Sequence, residues 1–186
     1  MVLEGTEHEL IEACRRGEPD AFRALFESQK DKVYSIALRF SGDQALAMDI
    51  AQDTFLKLFS SMTSFRGDSS FSTWVYRLVV NSCLDYKRRS WRTIPMADEF
   101  LSVLRSPGDT LHGLMRAQMN DRVQQAVEKL PADQRIVVLL RYTEGLAYDE
   151  IAEVLACSVG TVASRLNRAH KVLERRLSHL KGISYV

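Results

Sequence analysis

Between Asp20 and Phe40 the apolar residues Phe22, Leu25, Phe26, Val33, Ile36, Ala37 and Phe40 fall on one stripe of a 3.6-residue period. A chain patterned this way folds by burying one face of a helix against other helices. Helical spacing returns over residues 43–59, 72–92, 115–130, 132–142, 148–155 and 159–180. With only 9 Gly and 4 Pro in 186 residues, the chain has little material for tight β turns or a Gly-rich phosphate loop. Apolar residues make up 46% of it, enough for each half to bury a core, which excludes disorder as a global description. The expected fold class is all-α.

Capping chemistry sets the expected boundaries. Thr6, with Glu9 three residues on, has capping-box spacing for a first helix through Arg16. Gly17 ends that helix and Pro19 opens the next. Gly42 closes the second helix and Asp43 caps a third, with Leu46, Ile50, Phe55, Leu58 and Phe59 available to the core. A polar loop at Thr63–Ser70 precedes a long helix from Ser72 towards Arg92, with Val75, Leu78, Val79 and Ser82 facing inward. Periodicity lapses between Thr93 and Leu114, where Pro95, Pro107 and Gly108 occur. The expected architecture is therefore two small helical domains, 1–92 and 115–186, joined by a flexible linker over 93–114. Met115, Met119, Val123, Val127 and Leu130 restore helical spacing beyond it, and Pro131 marks the next break.

The start of the chain is acidic and lacks a signal peptide's basic start and apolar core, and Ile136–Leu140, the longest aliphatic run, is far short of the ~20 residues a bilayer requires. A cytoplasmic protein without membrane insertion is expected. Cys14, Cys83 and Cys157 are odd in number and far apart, which disfavours a disulfide framework or a thiolate metal site; free buried thiols are expected, and no cofactor. Net charge is +1, from 25 basic and 24 acidic residues, but the cations are clustered. Lys87, Arg88, Arg89 and Arg92 form one group, and Arg165, Arg168, Lys171, Arg175, Arg176 and Lys181 another. Two such patches suit a polyanion touched at two places. They also suit two solvated helix ends, where cations favour the dipole.

The segment LAYDEIAEVLACSVGTVASRLNRAHKVL, from Leu146, carries the strongest signal. Ile151, Ala152 and Leu155 fit the inner face of a short helix, Ala156, Cys157 and Ser158 make a tight connection, and Val159, Val162 and Leu166 face inward on the next helix. Small Ala152 allows a close, steep crossing, the helix-turn-helix arrangement. Ser158 is a candidate N-cap with Thr161 at its third position. Thr161, Ser164, Arg165, Arg168 and Lys171 then point outward, with groups suited to base edges and phosphates in a major groove.

Two stretches in the first half also carry binding chemistry. In DIAQDTFLKLF (49–59), Asp49 and Asp53 share a helix face four residues apart, Gln52 lies beside them and Leu56 extends the stripe, a surface suited to a basic partner helix. In FRGDSSFSTWVYRLVVNSCLDYKRRSW (65–91), six of the chain's 16 aromatics fall within 27 residues, interleaved with the first basic cluster. Stacking faces beside positive charge are what single-stranded DNA requires. Trp74, at a helix start, is more at home packed than stacked.

Taken in order, these segments resemble the bacterial sigma factors of the extracytoplasmic-function group, over nearly the whole chain. The resemblance implies that Asp49, Gln52, Asp53 and Leu56 bind core RNA polymerase at its β′ clamp helices, with the β flap as a second contact. It implies a −10 element reader in which the loop Phe65–Ser72, including Arg66, Ser70 and Phe71, holds an extruded base, Asn81 reads a neighbouring base edge, and Lys87 and Arg88 hold phosphates. It implies that Ser158, Thr161, Ser164, Arg165, Arg168 and Lys171 read a −35 element in duplex form, and that an anti-sigma factor covers these surfaces. Two departures stand out. Ala147 replaces the family's usual Ser N-cap, and Ala163 occupies a position that is often basic. The 22 residues of the linker reach at most ~75 Å extended, and two turns of B-DNA measure about 70 Å, so the tether can place its domains on two promoter elements.

Two rival readings predict different features. A one-component helix-turn-helix regulator would bind duplex DNA without polymerase and would not need the aromatic loop or the acidic helix. An enzyme would need a nucleophile–base pair or metal motif, and His8, His112, His170 and His179 form no HExxH pattern.

Overall fold

The computed structural model describes residues 2–65, 67–93 and 121–178. Helix follows helix: α1 (Val2–Arg15), α2 (Pro19–Ser41), α3 (Gln44–Ser61), a 3₁₀ turn (Met62–Ser64), α4 (Phe71–Thr93), α5 (residues 121–128), α6 (Ala132–Tyr142), α7 (Tyr148–Val154) and α8 (Val159–Leu177). No strand occurs among the described residues. The segment read as a linker lies outside them apart from Thr93, which ends α4, as do Arg66, residues 115–120 and Lys181.

Local chemistry accounts for most boundaries. Pro19 opens α2, where its missing N–H is not needed, and Gly42 ends it at φ +73°, donating its N–H to the Leu38 carbonyl at 2.8 Å. The Asp43 side chain caps α3 by accepting from the Leu46 N–H at 2.9 Å. α1 begins at Val2, so the Thr6–Glu9 spacing falls inside the helix and not at its expected start; a Ser/Thr-x-x-Glu spacing fits a helix interior as well. The expected loop at 63–70 is shortened by the 3₁₀ turn, whose buried Met62 anchors it.

The inward stripes form as the periodicity requires. Leu25, Val33, Ile36, Ala37 and Phe40 of α2 meet Ile50, Phe55 and Leu58 of α3 and Val75, Val79 and Val80 of α4 in a core that continues into Ile136, Leu140, Ile151, Val162 and Leu166. Three expected core positions stay outside. Phe26 is 38% exposed, resting its ring 4.7 Å from that of Phe55. Val123 and Val159 are also exposed; Val159 occupies the first position of α8, before the helix turns its apolar stripe inward. Leu46, Leu78, Phe59 and Leu155 are only half-buried. Cys14 and Cys83 are free buried thiols, and burial pushes the Cys83 thiol up to about 12. Cys157 departs from the expectation of burial and is half-exposed in the α7–α8 turn.

Candidate nucleic-acid interface

On α3, burial of Ala47, Ile50, Ala51, Thr54, Phe55 and Leu58 turns the opposite face to solvent. That face carries Asp49 and Gln52, both exposed, and Leu56 at 62% exposure. Met48, 63% exposed, was not anticipated; it continues the stripe, since 48, 52 and 56 are successive i,i+4 positions. Asp53 is less available than its neighbours. Lys57 Nζ lies 2.8 Å from its carboxylate and also donates to Ser82 Oγ at 3.0 Å. The hydrogen bond from Lys57 holds the Asp53 carboxyl below its ordinary value. The expected Asp49–Asp53 repulsion is thus relieved by a cation one turn further on.

Ahead of α4, Ser70 acts as the helix cap: its Oγ accepts from the Thr73 N–H at 3.1 Å and its carbonyl accepts from Trp74 N–H at 3.1 Å. Phe65, Phe71 and Trp74 pack as a triad, with ring centroids 5.7 Å apart for Phe65–Phe71, 4.9 Å for Phe65–Trp74 and 5.7 Å for Phe71–Trp74. Phe71 is only 5% exposed, so it supports the loop from beneath, while Phe65 and Trp74 keep part of their surface open. Both help line a cavity of about 170 Å³, together with Ser64, Gly67, Asp68 and Ser69. Arg77 completes the lining, so the two aromatic rings share the cavity with polar and charged groups. Ser72 is half-buried beside Lys32, at 3.5 Å. Along α4, Asn81 is exposed; Lys87 is half-buried and Arg88 reaches solvent with a loose pairing to Asp85 at 3.4 Å.

The α7–α8 unit has the expected helix-turn-helix construction. Ala152 is 7% exposed, and Ile151, Val162 and Leu166 are fully buried between the helices. Val154, not anticipated on the inner face, is buried as well. The turn closes with Cys157 N–H donating to the Ala152 carbonyl at 3.0 Å and Ala156 N–H to Glu153 at 3.3 Å, which forces Ala156 to φ +49°. Ser158 caps α8, accepting from the Thr161 N–H at 3.1 Å. At α7 only half a capping box forms: Glu150 accepts from the Ala147 N–H at 2.6 Å, and Ala147 has nothing to return. On the outer face Thr161 and Ser164 are half-exposed, and Arg168 and Lys171 are exposed. Arg165, on the same side of α8, pairs with Asp133 of α6 at 3.6 Å.

The three surfaces lie on segments that match known proteins in the same order. Residues 25–93 match the family model for Sigma-70 region 2, and residues 120–173 match that for Sigma-70, region 4. The chain is 33% identical to the RNA polymerase sigma-H factor of Pseudomonas aeruginosa, over 97% of this chain and 98% of that protein. It is likewise 33% identical to the ECF RNA polymerase sigma-E factor of Escherichia coli, over 94% of this chain and 96% of that protein. In solved structures, the fold is similar to CnrH in complex with the cytosolic domain of CnrY, with TM-score 0.66, 24% identity and coverage of 91% of this chain and 96% of that one. It is also similar to the sigma factor RpoE in complex with the anti-sigma factor NepR from Bartonella quintana, with TM-score 0.64, 22% identity and coverage of 84% and 96%. The family models and the sequence identity over nearly full length place this chain in the sigma-70 family, among the extracytoplasmic-function sigma factors.

Proposed function

We propose that this sigma factor, which binds core RNA polymerase and recognises promoter DNA, divides the work among three surfaces and melts the −10 region. The stripe Met48–Gln52–Leu56 with Asp49 and Asp53 docks on the β′ clamp helices, burying exposed apolar surface while the acids meet basic residues. The cavity walled by Phe65 and Trp74 takes a base flipped from the −10 element, with Phe71 packed against both rings and Ser70 capping the helix that follows; Ser72 belongs to the same reader, as does Arg66 by its place in the sequence. Flipping costs a few kcal/mol, which one or two stacking contacts of about 1–3 kcal/mol each offset. Asn81 reads an adjacent base edge, and Lys87 and Arg88 hold the backbone.

The recognition helix α8 enters the major groove of the −35 element, N-terminus first, with Ser158, Thr161 and Ser164 near base edges and Arg165, Arg168 and Lys171 on bases and phosphates. The β flap is the second polymerase contact, placing this unit upstream of the first. An anti-sigma factor occupies the same surfaces when the protein is held inactive. The polymerase supplies the chemistry; this chain supplies position.

The observation that carries the division of labour is the aromatic-walled cavity at the foot of α4, on the same helix as exposed Asn81 and Arg88. A duplex-only regulator has no use for it. In vitro transcription of fragmented genomic DNA by bacterial core polymerase, with and without this protein, tests the reading through sequenced 5′ ends. New starts sharing two upstream motifs are expected. No starts, with duplex DNA retained in the absence of core, would reverse it.

A further inference from the structure

A single ammonium group joins the α3 stripe proposed to meet polymerase to the side of α4 proposed to meet DNA. Lys57 stands one turn beyond Asp53 on α3 and reaches across to α4, where Ser82, only 2% exposed, accepts its hydrogen bond at 3.0 Å. From that anchored place it faces two carboxylates at unequal distances. Asp53 Oδ2 lies 2.8 Å from Nζ, the length of a charge-assisted hydrogen bond, while Asp85 Oδ2 on α4 lies 3.6 Å away. Asp85 offers its other oxygen, Oδ1, to Arg88 Nη1 at 3.4 Å. The row Asp53–Lys57–Asp85–Arg88 therefore crosses from one helix to the other, tight at its α3 end and loose along α4.

An ordinary i,i+4 pair on a helix surface would end with Asp53 and Lys57. Two features set this one apart. The ammonium is tied to a buried hydroxyl on the neighbouring helix, so it stays between the two carboxylates whichever it serves. The looser carboxylate is also shared with Arg88, whose side chain is 71% exposed. Asp85 thus stands between two cations and is in tight contact with neither, since a tight pair closes to about 2.7–2.9 Å.

Drawing Asp53 away changes this balance. A basic group on a partner that pairs with Asp53 takes the nearest anion from Lys57. Ser82 keeps the ammonium in place, and Asp85 becomes its nearest carboxylate, a short closing movement away. An Asp85 whose charge is met by Lys57 attracts Arg88 less, because the two cations share one negative charge. Arg89 of α4 also acts on Asp53, more weakly than Lys57 does, and loses the same carboxylate when a partner takes it.

We propose that Lys57 is a positioning residue coupling the two surfaces: a basic partner docked on Asp53 passes Lys57 to Asp85, which releases Arg88 to a nucleic-acid phosphate. The coupling rests on the polymerase and −10 roles assigned above and names the residue that links them.

Binding of a fluorescent oligothymidylate of about 20 nucleotides to the free full chain tests it, with Asp53→Asn standing in for the docked state. Asp53→Asn is expected to tighten binding about threefold, the scale of one exposed ion pair, and to steepen its salt dependence. The gain should vanish when Lys57→Met or Arg88→Ala is added. Glu27→Gln, which frees Lys30 on α2 by the same change of charge, should leave affinity unchanged. An equal gain in the Lys57→Met background, or from Glu27→Gln, would show net charge alone at work and would overturn the coupling.

A second measurement needs no DNA. The interaction between Lys57→Met and Asp85→Asn, read as a double-mutant cycle in urea unfolding, should grow about twofold as an equilibrium constant when Asp53→Asn is also present. All four side chains of the row are at least a third exposed, so the variants are expected to keep their helical content. No growth in the cycle would overturn the exchange of partners. Growth in the cycle, with the strand bound by no variant, would overturn the phosphate role of Arg88 and the −10 reading of α4 while the exchange of partners stood.

Discussion

The proposed −10 face and the proposed −35 face hold their groups in opposite ways. At the foot of α4, Phe65, Phe71 and Trp74 pack on one another, so the group that would meet a base is also part of the protein's own packing. On α8 the proposed contact groups are half-exposed hydroxyls and exposed cations on a helix whose other side, Val162, Leu166 and Ala169, is buried. The difference suits the two proposed targets. An extruded base needs a preformed apolar slot, whereas an intact duplex needs charge and donors free to adapt to a groove.

The largest expected effect that separates the two is on stability. Phe71→Ala should cost about 3–5 kcal/mol, measured by urea unfolding, because it removes a buried ring from beneath the loop. Phe65→Ala, at a half-exposed position, should leave unfolding much less affected but weaken open-complex formation by the ~1–3 kcal/mol of one base–aromatic stack, read by permanganate reactivity of the −10 region. If both variants behaved alike, the division between floor and stacking face would be wrong. On α8, Arg168→Ala should leave the fold intact and lower the salt slope of holoenzyme binding by about one counterion if the side chain holds a phosphate. An unchanged slope would move Arg168 off the backbone.

Smaller effects test the scaffolds beneath the two faces. Ala147→Ser supplies the missing half of the α7 capping box and should raise stability by about 1 kcal/mol, seen as a higher Tm. On α3, the Asp53 carboxyl is held low by Lys57. Its folded value lies below its unfolded one, so its contribution is complete above the unfolded carboxylate range near pH ~4 and is lost as pH falls through the folded value. Both partners are more than a third exposed to water, so the contribution is small. Lys57→Met should return the Asp53 titration, followed by NMR, towards the ordinary carboxylate value.

Much of this was legible along the chain because short-range rules govern it. Gly42, Asp43, Ser158 and the inward Val162 and Leu166 follow from caps and a 3.6-residue period, which depend only on neighbours within one or two turns. Legibility failed where a rule has no knowledge of the surroundings. Val159 reads as apolar but sits at a helix start, and Phe26 reads as core but lies at the edge of the α2–α3 contact. Met48 carries no signal of its own, because an exposed methionine looks, in sequence, like any other helix-forming residue. Ser70 reads as a DNA contact, and the structure adds that its side chain already caps α4.

The sequence by itself determined the all-α fold, most helix boundaries, and the chemistry of three surfaces, since periodicity and capping act locally and a motif keeps its residue types wherever it is placed. Tertiary structure alone decided which of those groups already have partners: Lys57 on Asp53, Asp133 on Arg165, and Arg135 on the end of α2, 95 residues away in the chain. Pairings of that kind depend on which surfaces meet after the helices form. No local pattern encodes that, because an arginine spaced for a helix looks the same whether it ends in water or against a carbonyl of another helix.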